Sequence, residues 1–243
     1  METKKDIKVF DRIEKKYLIT KFQKEKILKV IKEHMREDSY FISEVFNIYF
    51  DNENYDLIIQ SIDQPKFKEK LRARSYGGYN KVFFEIKTKI RGKDNNAGYK
   101  RRVRITKKDY NELVKNGKKV TEFIGPENNT DLQIAKEVDY LIDHFSLKPK
   151  ILILYDRESY QGEDGLRITF DENLRYRTKN VKFTKTKTDK YYFDNEKNII
   201  MEIKAHGVLP LWLVKTLTEE RIFPEQFSKV GKSFYKIRKE QNV

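Results

Sequence analysis

The chain has 243 residues, of which 52 are Lys or Arg and 38 are Asp or Glu, so its formal net charge is +14. This excess favours phosphate-rich partners, and the hydrophobic fraction of 38% can fill a core, which excludes a disordered polycation. The absence of Cys excludes disulfides, thiolate metal sites and a cysteine nucleophile. No apolar run approaches the roughly 20 residues of a membrane span, and the N-terminus lacks a signal-peptide core. We therefore expect a single cytoplasmic domain over residues 1–243 with no membrane span.

The first half of the chain alternates between predicted strands and helices. Thr20 and Thr106 are suitable N-caps for the helices that follow them, and Gly77-Gly78 is suited to a hairpin turn. The predicted strands are 10–19, 46–51, 66–74, 81–89 and 99–105, and the predicted helices are 21–36, 55–61 and 107–116.

The second half begins with a predicted helix and then returns to strands. The helix covers 131–145, and Pro210 opens a second one. Strands are expected at 151–159, 166–170, 181–187 and 199–204. No internal repeat or domain linker interrupts this series of eight or nine strands.

Six segments of these strands place charged residues at every second position, with apolar residues between them. The segments are 70–74, 84–87, 100–105, 154–157, 166–171 and 201–204. Period-two alternation directs the charged side chains to one face of each strand, and that face cannot pack on a hydrophobic core. An open sheet with helices on one side would satisfy this demand, and so would a closed barrel with a charged, water-filled lumen and helices outside. The strand number, and the removal of sheet edges by closure, favour the barrel.

The ordered motifs of the chain resemble the catalytic domain of the vacuolar transporter chaperone (VTC) family, the polyphosphate polymerase branch of the triphosphate tunnel metalloenzymes. The motifs are, in chain order, Arg12-x-Glu14-x-Lys16-Tyr17, Asn47-Ile48-Tyr49-Phe50-Asp51, Lys70-x-Arg72-x-Arg74-x-Tyr76, Glu85-Ile86-Lys87, Lys100-Arg101-Arg102, Tyr155-x-Arg157, Leu166-Arg167-Ile168-Thr169-Phe170-Asp171, Glu202-Ile203-Lys204 and Phe227-Ser228-Lys229. The resemblance extends from Phe10 to about Val230. It implies an α+β fold: an antiparallel β-barrel tunnel of about eight strands, lined with Arg and Lys. Arg12 replaces the first Glu of the superfamily's Glu-x-Glu-x-Lys pattern, and this departure implies the polymerase branch in place of the thiamine-triphosphatase and class IV cyclase branch.

The resemblance assigns roles to individual cations, which are expected to face one shared cavity. Arg is suited to this task because its planar fork donates two hydrogen bonds to phosphoryl oxygens. The predicted catalytic residues are Arg72, Arg74, Arg157, Arg167 and Lys87. The predicted substrate-binding residues are Lys16, Lys70, Lys100, Arg102, Lys204, Lys229 and Tyr155. The simpler alternative is that each is a solvated surface residue.

Glu202 is the predicted metal ligand, because the matching Glu of the family holds the metal and a carboxylate suits Mg²⁺ or Mn²⁺. The alternative role of Glu202 is an internal ion pair with a nearby cation. Glu14 and Glu85 are weaker metal candidates that could instead orient the cations, and Asp171 fits either role.

The resemblance implies that the enzyme transfers the γ-phosphoryl of ATP or another nucleoside triphosphate to a polyphosphate chain with Mn²⁺ or Mg²⁺. One alternative is a hydrolase of the same fold that cleaves triphosphate or a nucleoside triphosphate. The other is a non-enzymatic polyanion-binding protein. Nucleic acid is disfavoured as a partner, since aromatic residues do not interleave with the basic strands as stacking platforms. The chain has no glycine-rich phosphate loop, so side chains would grip the phosphates.

Overall fold

The computed structural model describes residues 12–63, 66–91, 96–193 and 198–241. The strands in this part of the chain are β1 (Arg12–Ile19), β2 (Arg36–Asp51), β3 (Phe67–Tyr76), β4 (Val82–Arg91), β5 (Asn96–Ile105), β6 (Lys148–Gln161), β7 (Arg167–Arg177), β8 (Lys190–Tyr191) and β9 (Ile199–His206). The α-helices are α1 (Lys21–His34), α2 (Asp56–Ile62), α3 (Lys107–Asn116), α4 (Asn129–His144), α5 (Leu211–Glu219) and α6 (Lys229–Gln241). None of these helices combines the length and apolar character needed to cross a bilayer.

The strands are hydrogen-bonded in the order β1-β9-β7-β6-β2-β3-β4-β5, and β8 pairs with β7. The β1–β9, β7–β9, β2–β3, β3–β4 and β4–β5 pairs are antiparallel. The predicted α+β fold with about eight antiparallel strands is therefore confirmed. Within the described residues the hydrogen-bonded order begins at β1 and ends at β5, so it is an open path where the sequence predicted a closed ring. Charged side chains along β1 and β5 disfavour the pairing of further strands with these two, so the ends of the path are protected even though no ring is closed.

The chain divides into two compact units. Unit 1 comprises Met1–Ser43, Tyr155–Leu174 and Phe193–Phe227, and unit 2 comprises Glu44–Leu154, Arg175–Tyr192 and Ser228–Val243. That residues 1–243 form a single domain stays a prediction.

The core of unit 1 lies between two helices and the apolar faces of its strands. α1 begins at a capping box, in which Thr20 and Gln23 bind each other's backbone N–H, and it buries Ile27 and Ile31. α5 buries Leu213 and Leu217 against the same cluster. The strands contribute apolar residues at every second position, including Ile168, Phe170, Met201, Ile203 and Ala205.

The core of unit 2 is built in the same way on β2–β5. The buried residues Leu71, Ala73, Ile86 and Val103 alternate with the charged positions of their strands. Helices α3 and α4 cover this apolar face with residues that include Tyr110, Leu113, Ala135, Val138 and Leu141. Each charged strand face is therefore opposite a buried face, as the alternation predicted.

The predicted strand at 181–187 is wrong, because this segment folds around the buried guanidinium of Arg177. Arg177 Nη2 donates to the carbonyl oxygens of Lys182 and Thr184, and Nη1 donates to Asp189 Oδ1 at 2.7 Å. Backbone oxygens that accept from Arg177 are not available for a strand ladder. The short strand β8 follows this segment instead.

Two further elements were missed in the sequence. The helix α6, which the sequence analysis did not predict, buries Val230, Phe234 and Ile237 at helical spacing. Residues 36–45 of β2 are exposed or half-buried apart from Val45, so they lack the apolar alternation by which a strand is recognised.

Candidate functional site

The strand register of unit 2 brings six predicted cations to one face. Residues that are direct partners in antiparallel strands point to the same side of a sheet. The partner sets that place these residues are Tyr49–Arg72–Glu85–Arg102, Asn47–Arg74 and Lys70–Lys87–Lys100. The opposite face of the same strands packs in the unit 2 core.

Glu85 lies at the centre of this face, and we call Glu85, Arg72, Arg74, Lys100 and Tyr49 the Glu85 cluster. Glu85 is only 2% exposed. Its Oε2 is 2.6 Å from Arg72 Nη2 and 3.9 Å from Arg74 Nε, and its Oε1 is 2.6 Å from Lys100 Nζ. Burial raises the pKa of Glu85, but the three cations outweigh burial and lower the pKa to about 2. Glu85 therefore stays charged and holds three predicted phosphate-binding groups in place.

Two uncharged side chains complete the positioning of the arginines. Arg72 Nη1 donates to Tyr49 Oη at 3.3 Å, and Arg74 Nε donates to Asn47 Oδ1 at 2.8 Å. Burial raises the pKa of Tyr49, but Arg72, Lys70 and Arg74 lower it to about 8. No role had been assigned to Asn47 or Tyr49, although both occupy alternate positions of a recognised motif and so share the face of the arginines.

The remaining predicted residues of unit 2 are less enclosed. Arg102 is exposed, and its Cζ lies 5.1 Å from the centroid of the Phe83 ring. Lys87 is exposed and Lys70 is half-buried. Lys229 is the first residue of α6, so it does not share the strands that carry the other predicted cations of unit 2.

A second polar face lies on β1, β9 and β7 of unit 1. Its register places Lys16, Glu202 and Thr169 in one row, and Glu14, Lys204 and Arg167 in the next row. We call these six residues the Glu202 cluster. The Glu202 side chain is 10% exposed, with Oε1 at 2.6 Å from Lys204 Nζ and Oε2 at 3.9 Å from Lys16 Nζ. Lys16 Nζ also lies 3.5 Å from Glu14 Oε1 and donates to the carbonyl oxygen of Phe227.

Arg157 is fixed by a two-point contact with Asp171. Its Nε lies 2.6 Å from Asp171 Oδ1 and its Nη2 lies 2.8 Å from Oδ2, while Asp171 is fully buried. Arg157 Cζ lies 5.3 Å from the centroid of the Tyr155 ring. Burial lowers the pKa of Arg157, but Asp171, Tyr155 and Glu202 outweigh burial and hold it well above its usual value. Asp171 thus acts as the carboxylate partner of Arg157.

Arg167 has partners that the sequence did not indicate. Its Nη2 lies 2.9 Å from Asp38 Oδ2, and it donates to Ser159 Oγ at 3.4 Å. Asp38 belongs to the part of β2 that was not predicted as a strand. The side chain of Arg12, which the motif comparison uses, lies outside the described residues.

The metal chemistry of the Glu202 cluster follows from its donors. Across residues 12–63, 66–91, 96–193 and 198–241, no group of three His, Asp or Glu side chains is arranged to hold a metal ion. Mg²⁺ and Mn²⁺ often take only one or two protein carboxylates and complete their shells with phosphate oxygens and water. Glu202 fits such a site, provided that its lysine partners turn toward the phosphates.

The fold is similar to that of a solved structure from Hippeastrum, described as an adenylyl cyclase candidate with a dominant triphosphatase activity. The TM-score is 0.54 at 16% identity, with 92% of this chain and 96% of the other covered.

A curated relative gives a closer sequence match. Subunit 4 of the vacuolar transporter chaperone complex from Schizosaccharomyces pombe is 28% identical over 157 residues, which are 59% of this chain and 21% of the relative. The chain thus matches about one fifth of that relative's length. The VTC domain family model matches residues 11–236. Since this match covers nearly the whole chain, the protein belongs to the VTC domain family.

Proposed function

We propose that the protein is a polyphosphate polymerase that transfers the γ-phosphoryl of a nucleoside triphosphate such as ATP to the end of a polyphosphate chain. The observation that carries this proposal is the Glu85 cluster, in which one buried carboxylate holds two arginines and a lysine on a strand face. Membership of the VTC domain family supports the choice of substrate.

The reaction needs positioning and charge neutralisation more than covalent help from the protein. A terminal oxygen of the polyphosphate attacks the γ-phosphorus, and the bond from that phosphorus to the β–γ bridging oxygen breaks. The products are a chain longer by one phosphate and a nucleoside diphosphate. The acceptor is itself the nucleophile, so no nucleophilic side chain is required.

Cations in each of the two units are suited to neutralising phosphate charge. Arg72 and Arg74 would bind phosphoryl oxygens while Glu85 holds their guanidinium groups in a fixed orientation. Arg157 would act in the same way on its Asp171 support, together with Arg167. A divalent ion held by Glu202 and phosphate oxygens would supply further neutralisation of the phosphate charge. Lys16 and Lys204 would release Glu202 and bind phosphate.

The decisive experiment is product analysis with ATP and Mn²⁺ or Mg²⁺, with and without a short polyphosphate primer. Chain growth with one ADP formed per phosphate added supports the polymerase. Release of inorganic phosphate without chain growth would show a hydrolase instead. Binding of polyphosphate with no turnover of ATP would show a non-enzymatic polyanion-binding protein.

A pair of variants tests whether the Glu85 cluster is responsible. Arg72→Gln should lower turnover by roughly 100-fold, the usual effect of losing an electrostatic donor. Lys215→Gln removes the same charge from α5, where the side chain is exposed, and should leave turnover unchanged. Equal activity of the two variants would separate the reaction from this cluster.

A further inference from the structure

Thr169 carries a buried hydroxyl whose hydrogen-bonding capacity is unused. The residue is 4% exposed, and within the described part of the chain its Oγ1 has no hydrogen-bond partner. Nε of Arg167, two residues away on the same face of β7, is likewise buried without a partner. Buried polar groups are nearly always hydrogen-bonded, so two such atoms on one strand face call for an explanation.

The position of Thr169 identifies the group that its hydroxyl can reach. Thr169 is the direct partner of Glu202 in the β7–β9 register. The Cβ atoms of direct antiparallel partners are roughly 4.5–5.5 Å apart, which places a Thr hydroxyl within reach of a Glu carboxylate. In the structure both oxygens of Glu202 face lysines instead, Oε1 facing Lys204 and Oε2 facing Lys16.

We propose that Thr169 is a positioning residue for Glu202 in the phosphate-bound state. This inference rests on the proposed function, since it requires a phosphate chain at the Glu202 cluster. The chain draws the ammonium groups of Lys204 and Lys16 to its own oxygens, because it carries more negative charge than one carboxylate. Glu202 then loses its contacts with these two lysines, and the Thr169 hydroxyl donates a hydrogen bond to its carboxylate.

The same rearrangement satisfies the second unused donor. The Nε–H of Arg167 gains a phosphoryl oxygen as its acceptor, while Nη2 keeps Asp38 and Ser159. Both unused groups thus obtain partners only when phosphate is bound.

The test compares Thr169→Val with Thr169→Ser in the full chain. Val keeps the shape and removes the hydroxyl, whereas Ser keeps the hydroxyl. Without ligand, Thr169→Val should melt at or above the wild-type temperature, because it removes a hydroxyl that has no partner. With inorganic triphosphate, its thermal stabilisation should fall to half of the wild-type value or less. Its kcat should fall roughly 10-fold or more, with a smaller change in KM, as for other residues that orient a ligand-binding carboxylate. Thr169→Ser should restore both.

Thr216→Val is the matched control. Thr216 is also buried in unit 1, but its hydroxyl donates to the carbonyl oxygen of Trp212 at 2.8 Å. This variant should melt at a lower temperature without ligand and keep the full triphosphate shift.

Three results would overturn the inference. Thr169→Val could destabilise the ligand-free protein as Thr216→Val does, which would show that the hydroxyl already has a partner. It could also keep the wild-type triphosphate shift and kcat, which would show that the hydroxyl does not act on Glu202. Absence of any triphosphate shift in the wild-type protein would instead reject the proposed function itself, and the inference with it.

Discussion

The substitution Glu85→Gln removes the charge at the centre of the Glu85 cluster and keeps the shape of the side chain. The pKa of Glu85 is about 2, against an ordinary value of 4.5. That difference corresponds to about 3 kcal/mol in favour of the charged form. Removing one partner of a buried ion pair typically costs a similar amount, roughly 3–5 kcal/mol. We therefore expect the free energy of unfolding at pH 7 to fall by about 3 kcal/mol.

The pH dependence of this loss has a definite sign. Because the folded-state pKa of Glu85 is depressed, its contribution is complete above about pH 4.5 and is lost as the pH falls toward about 2. Wild-type protein should lose this contribution in acid, while Glu85→Gln has none to lose. The difference in stability between the two proteins should therefore narrow as the pH falls from 5 to 3.

Urea unfolding at pH 7, 5, 4 and 3 measures this difference, with Glu53→Gln as the control. Glu53 Oε2 is 2.6 Å from Lys150 Nζ, the same separation as between Glu85 and Lys100, but its side chain is 76% exposed. Solvent screening makes such an exposed pair weak, so this variant should unfold close to wild type. Equal stability of Glu85→Gln and wild type at pH 7, or a difference that persists unchanged at pH 3, would refute the electrostatic argument.

Three further substitutions test the role of Glu202, the contact between Arg157 and Asp171, and the hydrogen bonds of Arg177. Glu202→Gln should abolish metal-dependent turnover, whereas triphosphate binding without metal, measured by calorimetry, should survive or tighten. Near-normal turnover would reject Glu202 as a metal ligand. Arg157→Lys keeps the charge but loses the two-point contact with Asp171, so it should lower both the melting temperature and kcat. Wild-type values of both would show that the geometry of the guanidinium is unimportant. Arg177→Lys should release residues 178–189 and speed their amide hydrogen exchange, and unchanged exchange would mean that other contacts hold the segment.

The two faces of the central strands could be predicted from the sequence because alternation is a local property. Leu71 and Ile86 had to point away from Arg72 and Lys87 whatever the rest of the chain did. Once neighbouring strands pair in antiparallel register, charged positions fall beside charged positions. Alternation alone does not show that these strands belong to one fold. The order of the family motifs along the chain supplied that part of the prediction.

The partners of the cations could not be predicted in the same way, because they depend on register and on distant segments. Glu85 and Arg72 are 13 residues apart, and Asp38 reaches Arg167 from a strand with little apolar alternation. The segment 181–187 alternates as a strand does, yet two of its backbone carbonyl oxygens accept hydrogen bonds from the buried Arg177. Alternation within the segment contains no information about a side-chain donor that lies outside it.

The buried carboxylates explain how clusters of cations remain stable. Glu85 offsets the repulsion among Arg72, Arg74 and Lys100, and Asp171 binds the guanidinium of Arg157 at two points. In the proposed function, a phosphate chain would compete with these carboxylates for the cations. The free energy of binding would then be the difference between the cation–phosphate and the cation–carboxylate ion pairs. Arginine forks can keep a carboxylate and bind phosphate with other N–H groups, because a guanidinium has five donors. A lysine ammonium group sits on a flexible stem and turns readily toward a new anion, so in the proposed function the contacts of Lys16 and Lys204 with Glu202 are the ones that phosphate would exchange.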